Sequence, residues 1–159
     1  MQVAKIEIVV FGCICAVMLL LGIDAHSVGV FNGCRWYQHL TYQFFHANIF
    51  HLAANLYVMW LCATRFTLLQ RQMLLCLAIS AMTPATSLMP TIGASGIVYA
   101  MLGIINTMVV EKLRFAMWIA VYIAISALFN CNWSIHLYCY ALGFMFNSIT
   151  LLWTRLTRL

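Results

Sequence analysis

The sequence predicts an all-α integral membrane protein, a single domain over residues 1–159 forming a six-transmembrane-helix bundle with both termini cytoplasmic. Three observations lead there. Hydrophobic residues make up 65% of the chain and charged residues only 7%, against about 25% charged in a soluble domain, so the chain cannot clothe itself in a water-facing surface. The apolar residues lie in continuous runs near 8–23, 49–66, 73–89, 94–110, 114–129 and 134–153. Continuous runs without alternation favour helices over a barrel, because lipid leaves no partner for an open backbone. The eight basic residues stand singly or in pairs between the runs. With both ends inside, seven of them fall on the cytoplasmic side and only Arg35 outside, which is the positive-inside arrangement.

Each run then has its own justification. The first follows Lys5, is longer than a usual signal core, and reads as a retained anchor; five residues before it are too few for a transit peptide. The segment 24–48 is the longest connection, yet it is aromatic rather than polar. Trp36, Tyr37, Tyr42, Phe44 and Phe45 suit a segment lying at the membrane interface. The second, fourth and sixth runs descend from the outer side and carry polar residues near their starts. The third and fifth are apolar returns, with Arg65 and Arg71 bracketing one inner link and Lys112 and Arg114 the other. Arg155 and Arg158 close the chain on the inner side. Several runs reach only roughly 17 residues, about 25 Å along a helix, so local thinning of the bilayer is expected.

The net charge of +5 does not describe a nucleic-acid patch, since its residues are dispersed. Of seven cysteines, Cys13, Cys15, Cys62, Cys76 and Cys139 lie in or beside spans and read as small apolar side chains. Cys34 and Cys131 fall in loops on the same side, which leaves a disulfide between them open. No paired C-x-x-C exists, so zinc and redox frameworks lack support. The H-E-x-x-H metal motif is absent as well, because His46 and His51 stand five apart with no acid between them. No metal or cofactor is expected. A histidine proton path or a bis-histidine haem through His51 and His136 is a weaker alternative, since neither explains a serine between glycines.

That serine is Ser95, in "TIGASGIVYAMLG". Alone, G-x-S-G reads as a small-residue packing seam, with Gly93, Gly96 and Gly103 allowing close helix approach. A lone membrane histidine likewise has a structural reading. The set changes the balance. Ser95, His51, Asn55 and His136 all sit near the outer ends of descending runs, and intramembrane polar groups face the bundle interior. His51 and Asn55 share a helix face at i, i+4, as do Ser95 with Tyr99 and His136 with Tyr140. A serine needs a base, which His136 can be. A developing oxyanion needs donors, which His51, the Asn55 amide and the Ser95 backbone N–H can be. Glu7, Asp24 and Glu111 are the only carboxylates, and Glu111 lies about 24 Å along a helix from Ser95. Any serine chemistry here therefore uses a Ser–His dyad without the acid of a triad.

At these residues the chain resembles the rhomboid family of intramembrane serine proteases. The resemblance rests on "HANIFHLAAN" with His46, His51 and Asn55, on "GASGIVYAMLG" with Gly93, Ser95, Gly96, Tyr99 and Gly103, and on "HLYCYALG" with His136 and Gly143. It implies Ser95 as nucleophile, His136 as general base, and His51 and Asn55 lining the oxyanion hole. It further implies Tyr99 packed on the His136 ring, His46 bracing the first loop, and the loop near 130–134 capping a cavity open to the outer side. The implied reaction is endoproteolysis in or near the transmembrane segments of membrane-protein substrates, within the lipid bilayer and without nucleic acid. A prokaryotic cytoplasmic membrane suits the short N-terminus; the oligomeric state is not legible.

Two positions depart from the family. Arg35-Trp36 reverses the usual order, and no role is carried over to the pair. Cys139 stands where a glycine is usual, so its sulfur is expected to shift the dyad spacing slightly. The competing reading is a catalytically inactive rhomboid-like protein that binds transmembrane helices.

Overall fold

The computed structural model describes residues 4–128 and 131–157. Among them are eight α-helices, one 3-10 turn and no strand beyond an isolated bridge between Val30 and Thr91. The expectations for Arg158 and for residue 130 of the cap fall outside the described residues.

Helix α1 (Lys5–Leu20) buries Ile8, Phe11 and Cys15, one helical stripe, and packs on α4. Its other faces expose Val9, Val10 and Leu20. A short α2 (Ala25–Val28) is capped by Asp24, whose carboxylate accepts the His26 N–H at 3.2 Å. Another short helix, α3 (Gln38–Thr41), runs into the 3-10 turn Tyr42–Phe44. Helix α4 (Ile49–Arg65) opens on Asn48, whose side chain accepts the His51 N–H at 2.9 Å and satisfies one of the donors a helix start leaves unpaired.

Helix α5 (Gln70–Ala81) begins with Gln72 reaching back to the Leu69 N–H at 2.9 Å. It ends well short of the predicted 89. The reason is Pro84, which lacks an N–H and disfavours helical geometry in the residue before it. Residues 82–94 instead form an irregular connection carrying Pro90. The first span is corrected too, from 8–23 to Lys5–Leu20.

Helix α6 (Ser95–Met108) is the hub. Ten of its residues are buried on all sides, from Gly96 to Thr107, as a helix surrounded by others must be. Helix α7 (Lys112–Leu128) is its opposite, burying only Ile119 and Ile123. Helix α8 (Trp133–Leu156) packs along α6. A Cβ at Gly103 would strike the Tyr140 carbonyl, and one at Gly143 would strike the Ala100 backbone, so these glycines set the approach of the two axes. Below them, Asn147 on α8 donates to Thr107 at 2.6 Å and accepts from Gln72 at 3.2 Å, tying α8 to α6 and α5.

The outer faces are apolar. Phe50, Val110, Leu113 and Leu128 are each at least 76% exposed, the reverse of a water-facing surface. Among the described residues, only α8, at 24 residues, is by itself both long and apolar enough to cross a membrane.

The aromatic connection is not a uniform interfacial belt. Trp36 is 77% exposed, but Tyr42 is fully buried. Its hydroxyl contacts the Ser80 hydroxyl at 2.7 Å and donates to the Ser80 carbonyl at 3.0 Å, while its own carbonyl accepts the Gly93 N–H at 2.9 Å. A phenol is tolerated in a core once its polar tip is paired. Burial raises the Tyr42 pKa, so the hydroxyl keeps its proton. Val30 and Thr91 exchange two backbone hydrogen bonds of 2.9 Å, pinning the same connection to the 82–94 segment. Cys34 and Cys131 are not joined by a disulfide.

Candidate active site

Three helix starts converge on one cavity. It has a volume of about 370 Å³ and is lined by His51 from α4, Ser95 from α6 and His136 from α8. The 82–94 segment forms another wall with Pro90 and Thr91, and Cys131 and Asn132 complete it.

Ser95 is the first residue of α6, placed there by a braced turn. His46 Nε2 accepts the Ala94 N–H at 3.2 Å, which leaves the ring proton of His46 on Nδ1. The His46 ring meets the His51 ring edge-on, with centroids 5.1 Å apart. Burial, helped by the neighbouring His51, lowers the His46 pKa from 6.5 to about 4, so the ring stays neutral and can go on accepting. Gly93 has φ +125°, and a Cβ there would lie 2.6 Å from the His51 ring. Only glycine meets both conditions without strain.

The central contact is between chemistry-bearing atoms. His136 Nε2 and Ser95 Oγ are 3.0 Å apart. His136 is 7% exposed; Tyr99 stacks on its ring with centroids 4.2 Å apart and planes inclined by 17°. On the far side of the imidazole, Nδ1 lies 3.1 Å from the Ser126 hydroxyl of α7.

The Cys139 sulfur does not push the pair apart. It is fully buried beside Gly96, where a Cβ would lie 3.4 Å from the sulfur, and the missing side chain of Gly96 accommodates it. The same absence leaves room for Ser80 and Tyr42.

Asn55 is placed apart from the other three. It lies one turn along α4 from His51, buried, and does not line the cavity. Its side-chain NH₂ has no acceptor among the described residues. The carboxylates do not line the cavity either: Asp24 caps α2, and Glu111 pairs with Arg114 at 2.9 Å on the exposed link between α6 and α7.

Sequence reasoning missed Tyr42, Ser126 and Asn132. Asn132 donates to Thr91 at 2.9 Å and accepts from Ser134 at 2.6 Å, and Ser134 is 2.6 Å from Thr86. This chain of hydrogen bonds fastens the start of α8 to the 82–94 segment. A cluster of hydroxyl and amide residues in 83–91 and 131–134 was the only available signal.

The arrangement places a hydroxyl against an imidazole in a cavity that reaches the surface. A family model described as Rhomboid domain matches residues 33–153. No curated protein matches the chain significantly.

Proposed function

The chain belongs to the rhomboid family, hence to integral membrane proteins, and from that premise we propose that it is an intramembrane serine endopeptidase. The observation that carries this reading is the 3.0 Å approach of Ser95 Oγ to His136 Nε2 within an open cavity.

His136 Nε2 takes the Ser95 proton as Oγ bonds to the scissile carbonyl carbon, and the carbonyl π pair moves onto oxygen. The resulting oxyanion meets the unpaired N–H groups at the start of α6, where the helix dipole is positive. His51 lines the same wall and is assigned to the oxyanion hole; Asn55 lies behind that wall, its amide without an acceptor among the described residues, and is assigned there as a donor that turns in when substrate binds. Collapse breaks the C–N bond, and the Nε2 proton passes to the leaving amine. Water then attacks the Ser95 ester, gives its proton to Nε2, and releases the acid as Oγ regains a proton. Neither half needs a cofactor.

The substrate is a transmembrane segment of another membrane protein, cut in or near the bilayer. In this reading α1, α4, α5, α6, α7 and α8 are the six crossings, both termini are cytoplasmic, and the cavity opens outward. A prokaryotic cytoplasmic membrane is the proposed location. The lengths of α5 and α6, 12 and 14 residues, suit a locally thinned bilayer.

The test uses detergent-solubilised protein, a fluorophosphonate probe and a transmembrane substrate with a weak helix. Wild type labels at Ser95 and cleaves, whereas Ser95→Ala does neither and His136→Ala loses both. Binding without cleavage across several substrates would leave the inactive helix-binding relative as the better account.

A further inference from the structure

The three carboxylates do not line the cavity, and Ser126 occupies the position where a triad's acid would stand. We infer that Ser126 is a positioning residue for His136, holding the imidazole in the tautomer whose Nε2 lone pair faces Ser95. This rests on the protease reading for its consequences in turnover, though not for its hydrogen bonding.

Ser126 has one hydroxyl hydrogen and, among the described residues, two hydrogen-bond neighbours. It donates to the Ile123 carbonyl, one turn back on α7, at 2.7 Å, which is the usual local bond of a helical serine. Its other contact, to His136 Nδ1, is longer at 3.1 Å. With the hydrogen committed to Ile123, Ser126 Oγ can only accept, so Nδ1 must carry the ring proton. A neutral imidazole has one N–H, so Nε2 is then the acceptor, and Ser95 O–H is the donor across 3.0 Å. The relay runs from Ser95 O–H to His136 to Ser126 to the Ile123 carbonyl, each group donating once. When Nε2 gains the Ser95 proton, the cationic ring strengthens its bond to Ser126, because a charged donor makes the stronger hydrogen bond.

Local structure makes the placement dependable. Ile119, Ile123 and Ser126 follow at i, i+4 and i+7, the one stripe of α7 turned toward the bundle, and the two isoleucines are its buried residues. The titratable groups facing the imidazole from neighbouring elements are Tyr99, stacked on it, and His51 and the Cys131 thiol, which line the same cavity.

Two measurements test the role. In ¹⁵N-histidine spectra of the solubilised protein, with His136→Gln identifying the resonance, wild type shows the Nδ1–H form at neutral pH. Ser126→Ala moves the ring toward a mixture of both tautomers, and Ser126→Thr, which keeps a hydroxyl, does not. In cleavage assays Ser126→Ala lowers kcat about 10- to 100-fold, the range expected for losing a hydrogen bond to a charged group, with KM within about twofold. The acid limb of its pH profile moves to lower pH, because removing an acceptor destabilises the imidazolium and His136 stays deprotonated further down. Ser126→Thr restores both. Wild-type Nε2–H, an unchanged tautomer in Ser126→Ala, or wild-type turnover with an unmoved acid limb overturns the proposal. If wild type and Ser95→Ala cleave alike, the protease reading fails, and the spectra alone decide on Ser126.

Discussion

The Tyr99 ring lies nearly parallel to the His136 imidazole, 4.2 Å from it and inclined by 17°. Tyr99 follows Ser95 by one turn on α6, so the helix that presents the hydroxyl also presents the surface on which the imidazole rests. The stack limits rotation of His136 about its own side-chain bonds, while Ser126 sets which nitrogen faces Ser95.

Removing that surface should loosen the base without abolishing it. Tyr99→Ala is expected to lower kcat roughly 3- to 10-fold, the range of a lost aromatic pair, whereas Tyr99→Phe stays near wild type. Single-turnover cleavage by the two variants checks this. Equal losses in both would point to the hydroxyl instead.

Gly93 should resist substitution for two separable reasons. In Gly93→Ala the backbone strain at φ +125° and the collision with His51 add, and the backbone part alone costs roughly 1–3 kcal/mol. Combining Gly93→Ala with His51→Ala should recover the steric part of the stability loss and leave the rest. Thermal unfolding of the single and double variants measures the split; strict additivity would remove His51 from the account.

His46 predicts an acid-sensitive fold. Its pKa falls from 6.5 to about 4 on folding, so between those values the unfolded chain binds a proton that the folded chain refuses. The stability it contributes is complete above about pH 6.5 and declines as pH drops toward about 4. Midpoints of denaturation followed across this window should slope in wild type and slope less in His46→Gln. Parallel curves would refute the assignment.

Glu111 should be dispensable for turnover. Its salt bridge to Arg114 is exposed, and such pairs contribute about 0–1 kcal/mol. Glu111→Gln is expected to cleave within about twofold of wild type under the same argument. Loss of activity would mean that this carboxylate communicates with the dyad after all.

Some of this was readable from composition and order, and some was not. The apolar runs located every long helix because a chain this poor in charge has to turn apolar faces outward and satisfy its backbone internally. Where α5 stops was misjudged, since 82–89 still counts as apolar although Pro84 cannot continue the helix. Tyr42 was placed with the interfacial aromatics, because its side chain alone does not reveal that Ser80 waits for its hydroxyl. The sequence suggests that Cys139 shifts the dyad spacing slightly, because the space vacated at Gly96 lies on another helix and a single strand of letters does not connect them.

What the order of residues decided by itself was the solvent and the helical class, for these follow from transfer energies and local bonding; it also singled out the serine and histidines proposed to react. Which nitrogen of His136 meets Ser95, which hydroxyl takes the other, and whether Asn55 reaches the cavity were decided only in three dimensions. Those contacts depend on how far each helix is rotated about its axis. Rotation is set by the fit of side chains and glycines across the α6–α8 seam and around α7, where a change of a few tenths of an ångström separates a hydrogen bond from none.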